Sequence, residues 1–200
     1  MMQSLRRSVI RNLTVRAPCP IRNMSAAVTL RSSIKLCVLG GGNMAEAIIS
    51  ALSKSEVQNM ADIVVIDVSE ERIEHLQNTY KVRSCKTLEE GMLNADVTLL
   101  SVKPQNVDSI AAAITTAPKG LILSIVAGCT IDHLKEVFKT NNIVRSMPNT
   151  PAMVMEAMTV WVATKETPAE LVGNYCDLIM YHSAVSAIDT NLHFLVKEFS

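Results

Sequence analysis

Gly40, Gly42 and Ala45 lie at G-x-G-x-x-A spacing in the stretch KLCVLGGGNMAEAIISAL, residues 35–52. A residue without a Cβ at Gly40 permits a tight turn, and one at Gly42 lets a pyrophosphate approach the main chain. Ala45 keeps the following helix close to a sheet, and the amides that open that helix face the phosphates. Gly41 fills the variable place between the two working glycines. A glycine-rich turn of no chemical consequence would read the same way, so the spacing gains weight only from its surroundings. Here an apolar run precedes it, helix formers follow it, and the next apolar run closes on an acid, Asp67. Asp67 lies 25 residues past Gly42, near the ~20 expected of the acid that bonds the ribose hydroxyls. A carboxylate there accepts from a 2′-hydroxyl and repels a 2′-phosphate. No Arg or Lys follows until Arg72, so NADH is favoured over NADPH. A solvated acid at a strand end is the plainer alternative.

These residues need a rigid support, and the flanking pattern predicts one. Strands are read at 34–39, 63–68 (IVVIDV), 82–85, 96–102 (DVTLLSV), 120–128, from 142 into a proline-bounded loop, and at AMTVWVA. Helices are read at 44–52, 69–80, 88–94, 107–114, 131–138 and from 168 to about 180, with Ser69 and Thr130 as caps. Strands alternating with helices, and near-continuously apolar, predict an α/β fold: a Rossmann-type doubly wound, mostly parallel sheet with helices on both faces.

Composition bounds the rest. The chain has 200 residues, 48% apolar and 19% charged, which is globular. No apolar run reaches the ~18 residues of a membrane span, so a soluble protein without a membrane partner is expected. Cys19, Cys37, Cys85, Cys129 and Cys176 include no C-x-x-C pair, and the four histidines are scattered. Reduced thiols and no metal are expected. From Met1 to Ala45 there is no acid, but there are six arginines, at 6, 7, 11, 16, 22 and 31. Arginine-rich, serine-rich and acid-free is the composition of a mitochondrial transit peptide, with a basic binding arm or an inert tail as alternatives. The expected location is the mitochondrial matrix, or the cytoplasm if translation starts at Met24. Without residues 1–33 the body holds 13 basic and 19 acidic residues, a net charge of −6, which argues against a nucleic-acid partner. The expected organisation is a basic leader at 1–33, a dinucleotide-binding domain at 34–180, and the start of another unit at 181–200.

Four segments in order, LGGGNMAEAI, SVKPQNV, SIVAGCTIDHL and VRSMPNTPAMVMEAMTVWVA, together resemble pyrroline-5-carboxylate reductase. The resemblance covers about Ile34 to Met180. It implies hydride transfer from NADH or NADPH to a cyclic imine, 1-pyrroline-5-carboxylate, yielding L-proline. Carried over by position, Leu39, Gly40, Gly41, Gly42, Asn43 and Met44 hold the pyrophosphate and Asp67 the adenosine ribose. Val102, Lys103 and Pro104 line the cofactor groove, and Val126, Ala127 and Gly128 approach the nicotinamide. Asn149, Thr150 and Pro151 form the loop beside the reaction centre. Each has a plainer role open to it: Lys103-Pro104 as a strand terminator, Gly128 as a turn, Asn149 as a loop-holding Asx residue. A protonated imine is already a strong electrophile, so the protein's task is to hold donor and acceptor carbons together and exclude water.

Members of that family continue into a helical domain responsible for dimerisation and substrate binding. In this chain SAIDTNLHFLV is followed by KEFS and the end. The sequence therefore reads as a truncated form lacking the dimerisation domain, expected to bind cofactor weakly and turn over little. Two other readings stand beside the enzyme: a non-catalytic dinucleotide-binding isoform, and a reductase of the same sheet type acting on β-hydroxy acids.

Overall fold

A computed structural model of the chain describes residues 34–55, 58–148, 157–168, 171–172 and 183–187. The apolar run before the glycines forms β1 (Leu36–Leu39), with all four side chains buried. Successive side chains of a strand point to opposite faces, and here Leu36 and Val38 enter one core while Cys37 and Leu39 enter another. A strand covered on both faces belongs inside a sheet flanked by two layers. Accordingly β1 lies between β2 (Ile63–Ile66) and β4 (Val97–Leu100), parallel to both, with Val38 opposite Val65 and Leu99.

The short β3 (Arg83–Ser84) pairs with β2, while β5 (Leu121–Ser124) and β6 (Ile143–Pro148) extend the parallel sheet beyond β4. The next strand, β7 (Ala157–Ala163), runs antiparallel to β6, and β8 (Ser183–Ala187) runs parallel to β7. The order is β3-β2-β1-β4-β5-β6-β7-β8. This is the Rossmann-type arrangement expected from the sequence, with the winding reversing between β1 and β4, where open sheets of this kind bind ligands. The sheet continues past residue 180 through β8.

Two helices, α1 (Asn43–Ser55) and α2 (Glu70–Tyr80), cover one face, packing Ala45, Ile49, Leu52 and Leu76 against Val38 and Val65. The other face carries α3 (Leu88–Leu93), α4 (Val107–Ala112) and α5 (Ile131–Phe138), whose Met92, Val107, Leu134 and Phe138 meet Leu39, Leu100 and Ile122. Burying such side chains stabilises by about 1.5–3 kcal/mol each, and both layers hold the strand ends that carry the site. Helix starts are fixed by side-chain caps: Ser69, Thr87 and Thr130 each accept the amide three residues on, from Arg72, Glu90 and His133, all at 3.2 Å. Among the described residues no helix is long and apolar enough to cross a membrane. The basic leader and most of the helix read over 168–180 lie outside the described residues.

Candidate functional site

The turn after β1 is held by three strands. The Gly40 amide donates to the Ile66 carbonyl at 2.8 Å, and the Ser101 amide donates to the Leu39 carbonyl at 2.9 Å. Gly40 adopts φ +91°, and a Cβ there would lie 2.4 Å from the Ser101 carbonyl oxygen. Only glycine combines that backbone conformation with that approach. Gly42 differs: a Cβ built on it meets nothing within 4 Å, so its main chain faces open space. Its carbonyl accepts the Glu46 amide at 2.9 Å, starting α1. Gly42 and Asn43 are exposed, Met44 is half-buried, and Ala45 is fully buried against the sheet. A bare main chain beside a thirteen-residue helix's free amides is an arrangement able to accept an anion.

Gly41 is more constrained than a variable position. Its amide donates to Asp67 Oδ2 at 2.6 Å, and a Cβ on it would lie 2.9 Å from Leu76 Cδ1. The other oxygen of Asp67 accepts the Ser69 amide at 2.9 Å. Asp67 thus ties the end of β2 to the turn after β1 and to the start of α2.

On the far side of Gly40, Val102 approaches so closely that its Cγ1 would lie 3.0 Å from a Cβ there. Lys103 and Pro104 follow, both exposed, with Pro104 opening a short 3-10 turn that leads into α4. After β5, the Val126 amide donates to Ser124 Oγ at 3.3 Å, bending the chain. Val126 is 2% exposed and packs in the core, as does Leu39, so each offers the site its main chain alone. Ala127 and Gly128 are exposed, and Gly128 adopts φ +69° with open space where a Cβ would stand. The residues singled out at 39–44, 67, 102–104 and 126–128 therefore gather at the carboxyl ends of β1, β2, β4 and β5. Asn149, Thr150 and Pro151 lie outside the described residues. A cleft of about 370 Å³ between α4 and α5, lined by Asp108, Thr115, Glu136 and Lys139 among others, shares no residue with this edge.

One cluster escaped the sequence reading. Glu46, in the first turn of α1, accepts from Arg72, from His75 at 2.9 Å and from the Tyr80 hydroxyl at 3.3 Å, all on α2. The Nε of Arg72 also donates to the Gly41 carbonyl. Burial alone would raise the Glu46 carboxyl, but the hydrogen bonds from His75 and Arg72, with the Arg72 charge, hold it below the usual carboxylate range. The only trace in the sequence is a helical i, i+3 pair, Arg72 and His75, facing an acid 26 residues earlier. Nothing in that spacing announces the contact.

Comparison with known proteins agrees with this fold. Residues 35–128 match the family of NADP oxidoreductases described as coenzyme F420-dependent. The pyrroline-5-carboxylate reductase of a Synechocystis species is 38% identical over 134 residues, covering 66% of this chain and 50% of that protein. The chain spans about half the length of the curated relatives it matches. Among solved structures, a pyrroline-5-carboxylate reductase from Coxiella burnetii superposes with a TM-score of 0.74 at 23% identity, covering 83% of this chain and 62% of that one. A pyrroline carboxylate reductase from Plasmodium falciparum, solved with NADP bound, gives 0.69 at 23% identity over 78% and 58%.

Proposed function

From a chain related in sequence and fold to the N-terminal domain of pyrroline-5-carboxylate reductases, we propose a protein that binds a nicotinamide dinucleotide at the carboxyl edge of its sheet. The activity proposed with it is reduction of 1-pyrroline-5-carboxylate to L-proline. The carrying observation is the contrast between Gly40, closed against Ser101, and Gly42, open beside the start of α1. In this reading Gly42, Asn43 and Met44 take the pyrophosphate on main-chain amides. Asp67 accepts from the adenosine ribose through oxygens that already order the turn. Val102, Lys103 and Pro104 border the groove on the β4 side, and Ala127 and Gly128 lie at the nicotinamide end, where the absent Cβ of Gly128 leaves room. A dihydronicotinamide held there would supply the hydride that adds to the imine carbon, the π pair of the double bond moving onto the protonated nitrogen. Positioning and exclusion of water are the protein's contribution, with Asn149, Thr150 and Pro151 proposed beside the reacting carbon.

NADH is the preferred cofactor in this proposal. Asp67, with Glu70 and Glu71 in the first turn of α2, makes the adenosine end acidic, and a 2′-phosphate meets repulsion there. Residues 1–33 are proposed to direct the chain to mitochondria, and a fusion of that segment to a fluorescent protein checks it by microscopy.

A second reading is a dinucleotide-binding protein without turnover, because the open Gly42 main chain and the Asp67 carboxylate at this edge are suited to binding. Titrating the purified chain with NADH, then following NADH oxidation with the cyclic imine, separates the two. Binding with oxidation supports the enzyme, binding alone supports the second reading, and no binding rejects both.

A further inference from the structure

The adenosine end of the site holds a cation that is already engaged. Arg72 lies five residues beyond Asp67, and the two meet at one residue: Asp67 takes the amide of Gly41, while Arg72 takes its carbonyl. Arginine recognises phosphate through two parallel N–H donors on one edge of its planar fork. In Arg72 the edge formed by Nε and Nη2 is occupied on both atoms, by the Gly41 carbonyl and by Glu46 Oε2. Glu46 also neutralises the charge, and it is held in place from its other side by His75 at 2.9 Å and Tyr80 at 3.3 Å. The Arg72 side chain keeps 26% of its surface exposed, so solvent and ligands reach it.

We propose that Glu46 is a specificity-determining residue for the cofactor: by engaging Arg72 it withholds from a 2′-phosphate the guanidinium next to the ribose-binding carboxylate. The inference rests on the dinucleotide-binding reading of this edge and goes beyond it, because it assigns the preference to an acid on α1. On this view Asp67 favours the 2′-hydroxyl directly, whereas Glu46 acts through Arg72. Removing Glu46 leaves a positive charge beside the ribose, turning an obstacle to NADPH into a contact for it.

Titration of NADH and of NADPH against the wild-type chain, Glu46→Gln and the double variant Glu46→Gln/Arg72→Gln tests this, with nicotinamide fluorescence as the readout. Glu46→Gln is expected to shift the ratio of the two dissociation constants toward NADPH by about tenfold, the scale of one charge-assisted contact. Adding Arg72→Gln is expected to abolish that shift, and raising salt to diminish it. Should Glu46→Gln melt below the titration temperature, Glu46→Asp, which withdraws the charge by one methylene, is expected to give a smaller shift of the same sign. A ratio unchanged in both single variants overturns the proposal, as does an equal shift in the double variant, since Arg72 would then have no part in it. If the wild-type chain binds neither dinucleotide, the binding reading fails as well. Binding of NADH with an unchanged ratio removes only the role of Glu46.

Discussion

The Asp67 carboxylate accepts the Gly41 amide at 2.6 Å, linking the end of β2 to the turn after β1. One side chain therefore shapes the glycine turn and, in the proposed binding mode, offers its charge to the ribose as well. Asp67→Ser is expected to shift preference toward NADPH, because the repelling charge is gone. It is also expected to weaken NADH by at least about tenfold and NADPH by less, since a charge-assisted hydrogen bond contributes about 1.5–3 kcal/mol and only NADPH is relieved of repulsion. Fluorescence titration of both cofactors reads the two effects separately. A ratio that moves with no loss of NADH affinity means the Gly41 bond is dispensable.

Gly40 and Gly42 have the same residue type and different demands. Gly40→Ala places a Cβ 2.4 Å from the Ser101 carbonyl oxygen at φ +91°, so loss of folding is expected, read as a collapse of the thermal transition. Gly42→Ala meets nothing within 4 Å, so the melting temperature is expected to hold within a degree or two. Its cofactor affinity is expected to fall by at least about tenfold, because in the proposed binding mode the methyl stands where the pyrophosphate approaches. Equal behaviour of the two variants would contradict this division of roles.

Much of this was legible in sequence because it depends on local pattern. The buried strands, the capping residues Ser69 and Thr130, and the glycine turn each follow from composition within a dozen residues. The antiparallel course of β7 was not legible, since AMTVWVA reads alike in either direction. Nor was the constraint on Gly41, which arises from Leu76 and Asp67, both distant in the chain. The Glu46 cluster was hidden for the same reason: it is made by how α1 and α2 lie on the sheet.

Gly91 shows a comparable dependence on distant residues. It lies inside α3, where alanine is intrinsically better by about 1 kcal/mol. A Cβ there would stand 2.7 Å from Ile66 Cδ1 and 3.0 Å from the sulfurs of both Cys37 and Cys85. Overpacking of this kind costs about 1–3 kcal/mol, so with the helix preference set against it Gly91→Ala is expected to destabilise by up to about 2 kcal/mol in denaturant unfolding. A stabilised variant would mean that these side chains move aside freely.

Cys37 supplies a probe of the same region. Burial on β1, with Cys85 beside it, pushes its thiol up to about 12, so thiolate is scarce at neutral pH. Burial also raises Cys85 and Cys129. Iodoacetamide at pH 8, with mass mapping of labelled peptides, is expected to leave Cys37 unmodified in the folded chain and to label it in denaturant. Rapid labelling of the native protein would show that β1 opens without global unfolding.

Glu46 makes the last expectation one of pH. Burial opposes its ionisation, yet the hydrogen bonds from His75 and Arg72 and the charge of Arg72 place the folded carboxyl below its ordinary value of 4.5. Between the folded and unfolded values the unfolded chain binds the extra proton, so stability rises with pH there. The contribution is complete above the unfolded value and is lost as pH falls through the folded one. Melting temperatures measured from pH 7 to pH 3 are expected to fall more steeply for the wild type than for Glu46→Gln below about pH 4.5. Above that pH the two curves are expected to keep a constant separation, the variant lying lower because Arg72 has lost its anion. Curves parallel throughout would show that the carboxylate contributes nothing to joining α1 and α2.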